Sequence, residues 1–274
     1  FGEDFSIVPM LAESWDISED GLTYTFHLYP DIPWVKWNGT EVVKVQSCPD
    51  EAGATKDRVV TAYDFEYGIK RALAPETASD YAYVLAFAIK GAAEYNAGDA
   101  TADDVAVKAI DDYTLEVTLA YSYADFPYVV GFPDTAPVPR EEVEKDPAAF
   151  AAMPVGNGPF RMAEPWVPGQ YIKVVRFEDY SGTTPKIDGI NFKIYSDVNT
   201  AFLDFKAGTL DWTMIPAGQY EATVAEYGLS EDGVTANPGK QVQNAQELGI
   251  YEIIMNNEDD VFKNADLRRA VSLA

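Results

Sequence analysis

Histidine and cysteine, the side chains best suited to proton transfer and thiol chemistry at neutral pH, occur once each, as His27 and Cys48. Cysteine and histidine supply the four ligands of the usual structural zinc site, and two or three histidines the usual catalytic one. Neither set can be assembled here. A Ser-His-Asp or Cys-His site would have to use His27. A disulfide within one chain is impossible. His27 lies on the polar face of an alternating segment with Thr23 and Thr25, the setting of a solvated strand residue. Cys48 sits in Gln46-Ser47-Cys48-Pro49-Asp50 with no cationic cluster or helix start beside it, so it reads as an inert thiol. Carboxylates are abundant. Asp103-Asp104, Asp111-Asp112 and Glu258-Asp259-Asp260 could hold calcium, but none has EF-hand spacing and solvated turns are expected. Nothing selects two carboxylates as a glycosidase pair. No G-x-G-x-x-G or Walker A sequence occurs. Gly156-Asn157-Gly158-Pro159 is glycine-rich, but Pro159 ends the supply of backbone donors, and the segment reads as a tight turn.

The 274 residues carry 45 acidic and 20 basic side chains, a formal net charge of -25. This is far beyond the magnitude of roughly 2–8 that suits a small domain. Nucleic-acid binding rests on Lys and Arg neutralising phosphates, so the charge argues strongly against nucleic acid as a partner. It argues equally against direct electrostatic docking on anionic lipid. Solubility is the main expected cause of the acid excess, with cationic or zwitterionic partners as a second meaning. Hydrophobic residues make up 47% of the chain, ordinary for a globular protein. No apolar run reaches about 18 residues, the length of a membrane-spanning helix. No signal peptide is present. The chain opens inside Phe1-Gly2-Glu3-Asp4-Phe5 and closes inside a helical pattern, so both ends read as cut.

The elements that would position any site alternate between strand and helix. Tyr24, Phe26 and Leu28 share one face of a half-buried strand. Residues 30–60 read as irregular. Thr61 caps a helix, with Asp64 at the third helical position completing a capping box. Phe65, Ile69, Ala72 and Leu73 form its apolar stripe, and Pro75 stops it. A second helix is expected from Ser79 or Asp80 to Lys90. Val84, Leu85, Ala88 and Ile89 would face inward, and Gly91 would end it or begin a new turn. Val105, Val107 and Ala109, then Leu115, Val117 and Leu119, make a hairpin turning at Asp111-Asp112. The prolines at 127, 133, 137 and 139 predict a long non-helical stretch and a boundary. Strands follow at Gln170–Phe177 and at Ile190, Phe192 and Ile194. A helix capped by Ser196 or Asp197 packs Ala201, Phe202 and Phe205 inward and ends at Gly208. Leu210–Met214 reads as a short strand, Ala217–Tyr227 as a helix, Tyr251–Met255 as a strand and Leu267–Ala274 as a helix. The five tryptophans stand near turns or element ends, where large amphipathic rings suit binding clefts.

Several collinear blocks carry a resemblance. Leu11-Ala12-Glu13-Ser14-Trp15 and Asp20-Gly21-Leu22-Thr23-Tyr24-Thr25-Phe26 resemble the opening signature of extracellular solute-binding proteins of family 5. Val60-Thr61-Ala62-Tyr63-Asp64-Phe65 is similar to the family's V-T-A-x-D-F. Pro75-Glu76-Thr77-Ala78-Ser79-Asp80-Tyr81-Ala82 is similar to the P-x-T-A-S-x-Y-A of oligopeptide binders, and Val107–Val117 to their V-K-A-I-D-D-x-T-L-E-V. Gly156-Asn157-Gly158-Pro159-Phe160, Arg176–Tyr180, Ala207-Gly208-Thr209-Leu210-Asp211, Asn256-Asn257 and Phe262–Ala270 resemble later blocks in the same order. Residues 38–60 hold an insertion relative to the family pattern, read as a surface loop.

The resemblance implies an α/β periplasmic-binding-protein type II-like fold, a two-lobed clamshell of the larger three-domain kind. It assigns 1–139 to the additional domain of the first lobe, 140–248 to the incomplete body of that lobe, and 249–274 to the hinge and the start of a second lobe. The sequence then corresponds to roughly half of such a protein. Implied function is capture of extracellular oligopeptides for an ABC permease, outside the cytoplasm, as a monomer without cofactor or catalysis. Implied ligand-contacting residues are Tyr81, Trp212, Thr213, Met214 and Ile215, with Asp211 structural. The family's main peptide anchors fall outside residues 1–274, so poor peptide binding by this segment alone is expected. Relatives that bind nickel, haem, opines or oligosaccharides share most of these blocks and remain alternatives, as does a secreted carboxylate hydrolase.

Overall fold

The computed structural model describes residues 6–49, 51–246, 249–250 and 252–274. Phe1–Phe5, Asp50, Tyr251 and the proposed boundary at 248 lie outside the described residues. The chain divides into two compact units between Ile194 and Tyr195.

The first unit is built on four strands, β1 (Ala12–Ile17), β2 (Thr23–Leu28), β5 (Val107–Asp111) and β6 (Thr114–Thr118). They form an antiparallel sheet in the order β1-β2-β6-β5. The alternation expected for Thr23–Leu28 is observed, with Tyr24, Phe26 and Leu28 buried. Register sets Tyr24 opposite Val117 and Phe26 opposite Leu115, so four apolar side chains share one face. Helix α1 (Ala62–Leu73) covers that face with Ile69 and Leu73. Each such side chain contributes about 1.5–3 kcal/mol by leaving water. The expected capping box is present, and Thr61 N–H donates to Asp64 Oδ2 at 2.9 Å. Phe126 completes the core, its ring 5.0 Å from that of Tyr24.

Residues 30–60 are more ordered than their composition suggests. A short hairpin joins β3 (Val35–Trp37) to β4 (Val42–Lys44). Ile32, Trp34, Val45 and Val60 bury a second small core beneath it. A buried ion pair ties this region to α1. Asp64 accepts from Trp34 Nε1 at 3.2 Å and from Arg58 Nη1 at 3.0 Å. Arg58 Nε also donates to Glu141 of α5 (Arg140–Lys145). The sequence reading saw Asp64 only as a cap.

The expected helix over 79–90 is shorter, running as α2 (Ala82–Ala86). Sheet pairing captures the rest. Ile89 bridges Leu119, Lys90 N–H donates to Thr118 O, and Ala120 N–H to Ala88 O. Gly91, at φ 78, opens α3 (Ala92–Ala97). The proline-rich stretch holds a short helix, α4 (Phe126–Val129), with Pro127 in its first turn where a missing N–H costs nothing. Helix α6 (Pro147–Ala152) follows α5, and β7 (Phe160–Met162), β8 (Tyr171–Arg176) and β9 (Gly189–Lys193) form an antiparallel sheet in that order.

The second unit contains α7 (Val198–Lys206), α8 (Tyr220–Tyr227) and α9 (Ala265–Leu273). Asp197 caps α7 by accepting from Asn199 N–H at 3.0 Å. Phe205 meets Phe202 at 6.3 Å and Tyr227 of α8 at 5.4 Å. The strand expected at Leu210–Met214 is absent, and residues 252–255 are irregular. A strand needs a ladder partner. Among the described residues this unit offers only isolated bridges, Leu229 with Val242 and Asn237 with Lys240. No described helix is long and apolar enough to cross a membrane.

Candidate functional site

The Pro75–Tyr81 block positions its tyrosine through a turn. Residues Pro75–Thr77 form one 3-10 turn, and Ala78 ends it in the left-handed region at φ 50. Ser79 Oγ donates to Asp134 Oδ2 at 2.9 Å, fastening the block to the Pro133–Thr135 turn. Tyr81 emerges from this support 52% exposed. Its ring lies 5.4 Å from Phe132 and 6.4 Å from Tyr83. An aromatic surface results, with ring separations in the range of favourable tilted aromatic pairs. The sequence reading found Tyr81 but missed its partners. Tyr83 lay in plain sight two residues on, while Phe132 is joined only by folding.

In the second unit, Thr209–Pro216 runs as an irregular loop after α7. Gly208 turns the chain at φ 74. Trp212 is 67% exposed and Met214 68%, so neither packs in a core. Thr213 and Ile215 are half-buried, Asp211 is exposed, and Pro216 is buried. Trp212 Nε1 donates to Gln243 Oε1 at 3.0 Å, and Gln243 Nε2 donates in turn to Val234 O. This holds the indole edge while leaving its face open. Gln243 carried no signal in the sequence, because the contact spans 31 positions.

Other chemistry-bearing residues are arranged differently. His27 meets Asp16 Oδ2 at 2.8 Å on the open face of the sheet. Among the described residues no hydroxyl or thiol is hydrogen-bonded to that imidazole. Cys48 is free and exposed. Among the described residues no group of three His, Cys, Asp or Glu side chains could hold a metal ion. Asp111 accepts from Tyr113 N–H, and Asp104 from Thr101 N–H, each at 2.9 Å. These hydrogen bonds hold both carboxyls below the usual carboxylate range, as turn-forming acids rather than paired catalytic ones.

The model of bacterial extracellular solute-binding proteins, family 5 middle, matches residues 6–274. The chain belongs to this family. It is 33% identical to the dipeptide-binding protein DppE of Bacillus subtilis (strain 168), covering 100% of this chain and 44% of that protein. Identity to the periplasmic oligopeptide-binding protein OppA of Escherichia coli (strain K12) is 30%, covering 97% of this chain and 44% of that one. The solved structure of Burkholderia pseudomallei OppA superposes with a TM-score of 0.67 at 27% identity, over 81% of this chain and 40% of that chain. The chain therefore spans less than half the length of these relatives. Its fold is the type II solute-binding fold, and its family is one of solute-binding proteins rather than enzymes.

Proposed function

We propose that the protein carrying this chain is the substrate-binding component of an ABC importer, taking up oligopeptides outside the cytoplasm and passing them to a membrane permease. The observation that carries this reading is the family match over nearly the whole chain, with relatives named for dipeptide and oligopeptide binding. The family's domain division, 1–139, 140–248 and 249–274, belongs to the same proposal, as do a monomeric state, a cell-surface or periplasmic location, and binding without catalysis or cofactor.

Every peptide carries the same main-chain donors and acceptors. A receptor that pairs with them as with an added strand binds many sequences, and roomy pockets then tolerate the side chains. We assign peptide-contacting roles to Tyr81 in the first unit and to Trp212, Thr213, Met214 and Ile215 in the second. The exposure of Tyr81, Trp212 and Met214 supports this, because large apolar surface held in place but open to solvent marks a binding surface. Thr213 can donate and accept through its hydroxyl.

Calorimetric titration of the full-length protein carrying this chain with mixed tri- to pentapeptides tests the reading. Saturable peptide binding is expected, weakened roughly tenfold by Trp212→Ala, the scale of one lost aromatic anchor. Binding of nickel, haem or an oligosaccharide with no response to peptide would overturn the choice of ligand.

A further inference from the structure

Arg161, in the middle of β7, is only 2% exposed, yet among the described residues no carboxylate lies within ion-pair distance of it. Its Nη1 and Nη2 donate to the carbonyls of Phe160 and Gly158. Its Nε has no partner among the described residues, and neither does the buried Nδ2 of Asn157 on the adjoining loop. The guanidinium carbon stands 5.1 Å from the centre of the Phe177 ring, which covers one face of the group. Burial pulls its pKa down to about 10, against the opposing influence of Tyr180. An uncompensated buried charge and an unmade buried hydrogen bond are both costly, so such an arrangement calls for an acceptor.

Arg161 lines a cavity of about 340 Å³ together with Lys36, Lys145, Glu142, Asp146 and Phe150. Asp146 is already engaged as the cap of α6, accepting from Ala149 N–H at 2.9 Å. Three cationic side chains therefore border this cavity against two acids, in a chain whose overall charge is -25. The cavity runs against the charge of the whole molecule.

We propose that this cavity beside β7 is a binding site for a carboxylate group, drawn by the buried guanidinium of Arg161 that backs it. A guanidinium carries N–H groups in pairs at the spacing of the two oxygens of a carboxylate. Lys36 and Lys145 on the exposed rim draw the anion in and leave the seat itself to the arginine. The inference stands apart from the proposed peptide function, since it rests on residues of the first unit that were given no part in that function.

The test uses ¹H–¹⁵N spectra of the arginine Nε–H groups, with the Arg161 signal assigned by its loss in Arg161→Lys. Sodium acetate is titrated against sodium chloride at equal ionic strength. A saturable shift of the Arg161 signal with acetate, absent with chloride, is expected in the millimolar range. Lys36→Ala, an exposed change compatible with folding, is expected to weaken acetate severalfold. A peptide with a free C-terminus is then compared with its amide. Tighter binding of the acid identifies a ligand terminus as the source of the carboxylate. Equal response with acetate still binding identifies a seat for carboxylates in general. No saturable shift, an equal shift with chloride, or tighter binding of inorganic phosphate than of acetate would overturn the proposal.

Discussion

The first unit buries two apolar cores, one under the four-stranded sheet and one under the β3–β4 hairpin. The second buries Ala201, Phe202 and Val242 and leaves Leu203, Trp212, Met214, Ile253, Ile254 and Leu273 exposed. Both come from one acidic chain of ordinary hydrophobic content. The difference lies in where the apolar residues fall. Alternation along β2 and β6 places them on one sheet face that α1 can cover. In the second unit they stand on short helices and loops with no sheet among the described residues. Stability is thus concentrated in the first unit, and open apolar surface in the second.

The sharpest way to break this contrast is Asp64→Ala. Removing that carboxylate leaves Arg58 paired with Glu141 alone and Trp34 Nε1 without its acceptor, and a loss of about 3–5 kcal/mol is expected from urea denaturation. Leu73→Ala in the larger core should cost about 2–5 kcal/mol. Its counterpart Leu203→Ala, on an exposed position of α7, should stay within about 0.5 kcal/mol. Equal losses at the two leucines would end the distinction between the units.

Two glycines compare backbone rather than burial. Gly91 and Gly228 both have positive φ, and an added Cβ would meet Asp104 O at 2.1 Å and Gly239 O at 1.8 Å, respectively. Alanine at either site should destabilise its unit by more than about 1 kcal/mol. Here the two units should respond alike, because the clash is with backbone in both.

The smallest effect concerns pH. Burial alone would raise the Glu141 carboxyl, but the hydrogen bond and charge of Arg58 hold it below its ordinary value. A depressed folded-state pKa contributes stability that is present above the unfolded value, about 4.3, and lost as pH falls through the folded one. Glu141→Gln should therefore flatten part of the acid limb of a stability–pH curve and leave its relative shape above about pH 6 unchanged.

Much of the first unit was legible because period and register are local. The alternation at Thr23–Leu28, the Thr61–Asp64 cap and the 107–119 hairpin each follow from neighbours within a few residues. What could not be read depends on distant partners. Sheet pairing of 88–90 with 118–120 shortens a helix whose own pattern runs on. Leu210–Met214 has strand-like residues and no strand to join. Cys48 and the region around it looked irregular because the Trp34–Val45–Val60 core is assembled from positions far apart in sequence. At the candidate site, Tyr81 and Trp212 came from the family resemblance, whereas Phe132 and Gln243 needed coordinates. Arg161 gave no sign of its burial, since an arginine in a strand ordinarily faces water.

The central claim is that Tyr81 and the Trp212–Ile215 loop meet peptide. Hydrogen–deuterium exchange of the protein carrying this sequence, with and without saturating peptide, measures it most directly. The account predicts slowed exchange at residues 79–83 and 211–216, with the core strands β2 and β6 unchanged. Protection confined to other segments, with these two left as fast as in the free protein, would contradict it.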